Sequence, residues 1–165
     1  MRDWVVGAAL MWSDEGLLLV HNRRRGGRED WTPPGGVIEE GEPLIDGLTR
    51  EVLEETGLTV TEWAGPVYEV SCQAPDMGWN LRVEVHLALA YEGALHVDDP
   101  DGIVVDARFV SADDIGAHLE GAHPWVLEPL VEWLAERWDH AEARPYDFHV
   151  AGSLPGEVVV TRAGS

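Results

Sequence analysis

Glu51, Glu54 and Glu55 stand at i, i+3 and i+4 in the segment 36–58, GVIEEGEPLIDGLTREVLEETGL, so on a helix they share one face. Three carboxylates on one stripe repel one another. Like charges four residues apart cost a helix about 0.2–0.5 kcal/mol, so helix stability does not ask for them and a cation does. Hard divalent ions prefer oxygen ligands, and Mg2+ typically takes one or two carboxylates with substrate phosphates and water. A helix-borne carboxylate cluster fits that pattern, whereas a bare acidic run such as Glu39-Glu40 reads as a solvated face.

The elements that must position these side chains are legible around them. Pro43 suits a first helical turn, Glu42 beside it favours the N-terminal dipole, and Gly57 is a natural stop, which predicts a helix over residues 43–56. Leu44, Leu48 and Val52 recur every four residues and form its core stripe. Arg50 can pair with Glu54 at i+4; such a pair is worth only about 0.3–0.5 kcal/mol in water, so it serves to hold a carboxylate in place. Upstream, Pro33-Pro34-Gly35-Gly36 permits a tight backbone path that can aim a carbonyl at a metal or phosphate.

Elsewhere the pattern is mixed α/β without repeats. Residues 4–12 and 16–22 read as a hairpin, 58–72 and 79–91 as long strands, and 104–110 as a shorter one. Ser111 caps a brief helix over 113–119, and Pro124 opens a longer one to about Trp138 with Val126, Leu127, Leu130, Leu134 and Trp138 on its apolar face. Residues 145–150 and 157–162 form a further hairpin joined by 151–156. A lone hairpin is marginal, so it docks either on its own domain or on a second subunit.

Written out, the first segment is Gly36, five residues, Glu42, seven residues, then Arg50-Glu51-Val52-Leu53-Glu54-Glu55-Thr56-Gly57-Leu58. It resembles the Nudix box, GX5EX7REUXEEXGU with U an aliphatic residue, and every defined position is filled. The resemblance implies an α/β fold, a Nudix-type α/β/α sandwich with a mixed sheet: residues 1–140 would be the Nudix hydrolase domain and 141–165 a C-terminal extension. It implies metal-dependent hydrolysis of a pyrophosphate bond in a nucleoside diphosphate derivative, with Mg2+ or Mn2+ as cofactor. Glu51, Glu54 and Glu55 would be metal ligands, with Glu51 or a neighbouring carboxylate also orienting or deprotonating water. The Gly35 carbonyl would complete the shell, Arg50 would orient the carboxylates and Glu42 would support them. A further acid is expected from a loop outside the box; Asp98, Asp99, Asp101 and Asp106 are the choices, with Asp101 preferred.

Substrate recognition is less defined. Arg23, Arg24, Arg25 and Arg28 either clamp a distal phosphate or form a solvated loop. Trp31, Trp79 and Met77 either stack on a base or belong to the core and rim, and His21 and His86 read as satisfied strand histidines. The subgroup that cleaves ADP-ribose has a proline about fifteen residues beyond the box, where this chain has Gln73, with Pro75 two places on. The TPPGG approach resembles nucleoside triphosphate pyrophosphatases more closely; an ADP-ribose or nucleotide-sugar pyrophosphatase is the alternative, and a non-catalytic nucleotide-binding regulator a third.

Composition narrows the partners. At 165 residues and 45% hydrophobic content the chain can bury one core, and Cys72, the sole cysteine, reads as a small buried hydrophobe. A net charge of −20, with all 11 basic residues arginine, argues against nucleic-acid polymers and leaves a small-molecule nucleotide whose charge metal ions screen. No apolar run is long enough to span a membrane and residues 1–12 lack signal-peptide features, which makes a cytoplasmic protein, monomer or homodimer, the expectation.

Overall fold

The computed structural model describes residues 1–154 and 156–164; Pro155, in the expected hairpin loop, and Ser165 lie outside the described residues. The chain forms β1 (Arg2–Leu10), β2 (Trp12–Ser13), β3 (Gly16–Arg23), β4 (Glu29–Thr32), β5 (Gly35–Val37), α1 (Leu44–Thr56), β6 (Leu58–Ala74) and β7 (Trp79–Gly93). There follow β8 (Val104–Val110), α2 (Ala112–His118), α3 (Pro124–Glu136), β9 (Arg144–Ala151) and β10 (Val159–Ala163). A mixed six-stranded sheet runs β10-β9-β6-β7-β1-β5, with β1–β7 and β6–β9 parallel and the other neighbours antiparallel. In the smaller sheet β3 is central, pairing with β8, β2 and β4.

Strand alternation divides the large sheet into two working faces. Ala9 of β1 joins Leu48 and Val52 of α1, with Met11, Leu18 and Val20, in one core cluster. Leu10 of β1 joins Val70, Cys72, Trp125, Leu130 and Phe148 in the other, beneath α3. α1 begins at Leu44 with Pro43 as its cap residue, and ends where Gly57 takes a left-handed φ of 78° and returns its N–H to the Leu53 carbonyl.

The buried stripe of α3 is turned relative to the sequence expectation: Trp125, Pro129, Leu130 and Trp133 are buried, while Val126, Leu127 and Leu134 flank the core. Tryptophan carries more apolar area than the aliphatics, and its N–H can be satisfied inside: Trp133 Nε1 donates to the Trp138 carbonyl at 3.0 Å and Trp138 Nε1 to that of Val67 at 2.6 Å. The C-terminal hairpin docks on its own domain, where β9 adds in parallel to β6 and buries Tyr146, Phe148 and Val150. Cys72 is fully buried, and burial pushes its thiol up to about 11. Among the described residues no helix is long and apolar enough to cross a membrane.

Candidate active site

A cleft of about 530 Å3 lies on the α3 side of the large sheet. Its floor is Trp4, Val6 and Ala8 of β1 and Trp79, Leu81 and Val83 of β7. One end is acidic, lined by Glu51, Glu55, Asp99 and Asp101; Trp79 and Trp125 supply the aromatic end, with ring centroids 6.1 Å apart.

Glu51 and Glu55 of α1 reach this cleft, whose lining does not include Glu54, although the helix packs on the opposite face of β1. They do so past the edge strand β5, which is glycine where they pass. A Cβ on Gly36 would lie 2.5 Å from Cδ and Oε2 of Glu51, and the Gly35 N–H donates to Glu55 Oε1 at 3.3 Å. Arg50 gathers the remaining carboxylates. Its Nε and Nη2 donate to the two oxygens of Glu42, both at 3.0 Å, and Nη1 donates to Glu51 at 3.0 Å and Glu54 at 3.5 Å. The expected i+4 contact to Glu54 is thus the longest of four, and Glu42 is the main partner. Glu42 lies against Gly47, where a Cβ would be 2.6 Å from its Oε1.

Burial, with the nearby charges of Glu54 and Asp101, raises the Glu51 carboxyl to about 7 against the pull of Arg50. Burial first and Glu51 second push Glu55 well above the ordinary carboxylate range. Among the described residues no three His, Cys, Asp or Glu side chains are already gathered as a metal cage. The donor set nonetheless suits a hard divalent ion, because Glu55 is buried with one backbone N–H as partner, and a cation beside it would reverse the forces that raise both carboxyls.

Of the four candidate acids outside the box, Asp99 and Asp101 line the cleft. Asp99 accepts backbone N–H groups from Asp101, Ile103 and Val104 and so shapes the loop, which leaves the exposed Asp101 facing Glu51. Asp98 is exposed, and Asp106 pairs with Arg108 at 2.7 Å on β8.

The arginine loop separates by partner. Arg24 lines the cleft and is held by Asp30 through Nε at 2.9 Å and Nη2 at 3.1 Å. Arg28 binds the same Asp30 at 2.8 Å, and also reaches the Gly121 carbonyl and His123 Nε2, tying the β3–β4 loop to the start of α3. Arg23 pairs with Glu29 at 3.3 Å, and Arg25 is exposed. His123 accepts at Nε2, since burial and Arg28 push its imidazole down to about 4.

Burial alone would raise the Asp30 carboxyl, but hydrogen bonds and charge from Arg24, with Asn22 and Arg28, hold it below the ordinary range. Asp30→Asn is expected to cost about 2–3 kcal/mol at neutral pH, a little under the value for breaking a fully buried pair because both arginines are partly exposed. A carboxyl depressed on folding stabilises above its unfolded pKa of roughly 3.9 and loses that contribution as pH falls through its folded value. Urea midpoints of wild type and variant should therefore differ at pH 7 and converge in acid; equal midpoints at pH 7 would remove Asp30 as an anchor.

Trp31 faces away from the cleft: it stacks on His21 at 4.6 Å and 7°, with His118 edge-on at 5.0 Å. Strand alternation in β4 explains this, because Asp30 and Thr32 turn toward Asn22 while Trp31 turns to the other side. His86 is buried with Nε2 3.1 Å from Glu84, and Met77 is exposed outside the cleft lining. Trp4, Asn22, Asp30, His123 and Trp125 are cleft or support residues that sequence reasoning passed over. The one available signal was the period-2 pattern of Glu29-Asp30-Trp31-Thr32, which puts an acid inward.

The NUDIX domain family model matches residues 1–134. The chain is 36% identical over 93 residues to the cattle (Bos taurus) m7GpppN-mRNA hydrolase NUDT17, an alignment covering 53% of this chain and 31% of that protein. The chain thus spans about a third of that relative's length. Among solved structures, a MutT NUDIX hydrolase from Burkholderia pseudomallei matches with a TM-score of 0.65 and 26% identity, covering 78% of this chain and 98% of that one. A MutT protein from Bacillus halodurans has the same fold at a TM-score of 0.65 and 18% identity, covering 98% of this chain and 99% of that one.

Proposed function

The chain belongs to the Nudix family, and from that premise we propose that it hydrolyses a pyrophosphate bond in a nucleoside triphosphate, with Mg2+ or Mn2+ as cofactor. The observation that carries this reading is a single cleft with an acidic end for metal and phosphates and an apolar, tryptophan-lined end for a base. Glu51, Glu54, Glu55, Asp101 and the Gly35 carbonyl would hold the ion, which supplies neutralisation of phosphate charge and acidifies bound water. Glu51, largely buried at the acidic end of the cleft, takes the proton of the attacking water. Arg50 keeps Glu51 and Glu54 oriented, Arg24 donates to a phosphate oxygen, and the apolar floor excludes bulk water.

Product analysis over a nucleotide panel tests this. Nucleoside monophosphate plus pyrophosphate, abolished by chelator and restored by excess Mg2+, is expected. Monophosphate plus a sugar phosphate would favour the nucleotide-sugar reading, turnover of a capped RNA end would align the chain with the name of the cattle relative, and full turnover without metal would sink the chemistry.

Arg24 supplies a sharper expectation, since it is the arginine that lines the cleft. Arg24→Gln should lower kcat/KM for a triphosphate by about tenfold to a hundredfold, the value of a charge-assisted contact of about 1.5–3 kcal/mol. The exposed Arg23 and Arg25 should tolerate the same change within about twofold. Steady-state kinetics that rank the three variants otherwise would assign the phosphate contact elsewhere.

A further inference from the structure

Glu128, Glu132 and Glu136 stand at i, i+4 and i+8 on α3 and make a second acidic stripe. The stripe of α1 is gathered by Arg50 of its own helix, whereas the partners of this one come from the C-terminal hairpin. Both Nη atoms of Arg162, on β10, donate to Glu132, and Nη1 lies 3.5 Å from Glu128. Arg144, on β9, donates to both oxygens of Glu136 at 2.9 and 3.1 Å, and the Tyr146 hydroxyl reaches Glu132 at 3.3 Å. The hairpin thereby grips α3 along much of its length. Trp125, one turn before Glu128, is the residue that α3 sets opposite Trp79. Beneath it, Phe148 and Val150 of β9 belong to the same buried cluster. The hairpin lies beyond residues 1–134, the span of the family match, so the cleft's aromatic end leans on an element outside that span.

We propose that the C-terminal hairpin is a specificity element: Arg162, as a positioning residue, holds α3 so that Trp125 stands opposite Trp79 and the aromatic end of the cleft takes a nucleobase. This rests on the reading of the cleft as a nucleotide site. Arg28 holds His123 at the start of α3, and Trp125 stacks on that ring at 4.1 Å; removing the Arg162 grip loosens the turn that follows Trp125 while leaving the acidic end untouched, because α1, β5 and the Asp101 loop make none of these contacts. Base binding should weaken and the chemical step should not.

The experiment compares Arg162→Gln and Arg162→Lys with wild type, using a nucleoside triphosphate as substrate and inorganic tripolyphosphate as a base-free competitor. In Arg162→Gln the triphosphate KM should rise about tenfold, within the range that aromatic stacking on a base supplies. kcat should stay within about twofold, the tripolyphosphate inhibition constant should not move, and Arg162→Lys should restore most of the KM. Amide exchange over residues 123–128 should quicken by on the order of tenfold in the Gln variant. An unchanged KM overturns the proposal, as does a fall in kcat accompanied by weaker tripolyphosphate inhibition, which would mark general loosening. Should Arg162→Gln fold poorly, Glu128→Gln removes the contact nearest Trp125 and should shift KM about threefold in the same direction; no shift there counts equally against it. If wild type hydrolyses no nucleotide, the functional reading fails on its own, and the exchange measurement still decides whether the hairpin positions Trp125.

Discussion

Glu55→Gln is expected to lower kcat by about a hundredfold or more at saturating Mg2+ while leaving the metal-free protein at least as stable as wild type. The glutamine keeps the size of the side chain and an oxygen for the Gly35 N–H, so the one hydrogen bond of Glu55 survives. What disappears is a buried charge whose neighbours, Glu51 and Asp99, repel it. Removing that repulsion favours the folded chain, and removing the charge withdraws a proposed metal ligand. Thermal unfolding with and without Mg2+ separates the effects: the midpoint without metal should hold or rise, and the increase that Mg2+ is expected to give wild type should shrink. Glu54→Gln should share the kinetic loss. A Glu55→Gln enzyme that turns over near the wild-type rate would remove this residue from the metal site.

Gly36→Ala is expected to lower kcat by on the order of a hundredfold with little change in stability, and Gly35→Ala to unfold the protein. The new Cβ at position 36 would meet the carboxylate of Glu51 at 2.5 Å, the far end of a flexible side chain that can move away. Its movement takes the proposed base out of line, and misplacement of about 1 Å can cost a hundredfold in rate. A Cβ at position 35 would meet the Gly7 carbonyl oxygen at 2.0 Å and Ala8 Cα at 2.8 Å, backbone atoms fixed by the pairing of β1 with β5. Circular dichroism melts and kinetics on both variants check the pair. A fully active Gly36→Ala would mean that Glu51 need not sit where it does.

The helix carrying Glu51, Glu54 and Glu55 was legible because its signals are local: a proline, a closing glycine and a core stripe repeating every four residues. The arginine partnerships were not. Glu42 lies outside the helix, and only the path of the turn brings it under the Nε and Nη2 of Arg50, a contact that i+4 arithmetic does not contain. Arg24 and Arg28 gave no sign of a shared anchor, since Asp30 reaches them through the closing of the β3–β4 hairpin. The tail read correctly as two strands, but its parallel seat on β6 depends on a crossover through α3 that strand patterns cannot express. On α3 the expected face held at Leu130, and Trp138 just beyond the helix is buried as expected, but Trp125 and Trp133, the latter donating its ring N–H to the Trp138 carbonyl, turn the buried stripe away from Val126, Leu127 and Leu134.

The two glycines at the sheet edge have a consequence for how such a protein can diverge. They let one helix project its acids around the rim of the sheet into a cleft whose floor and far wall are built by β1, β7 and α3. The proposed hydrolytic machinery and the proposed recognition surface thus come from different stretches of chain and share a boundary without a side chain on it. Substitutions at Trp4, Trp79 or Trp125 can remodel what is held while the carboxylates stay put, so a lineage could exchange one substrate for another and inherit its reaction unchanged.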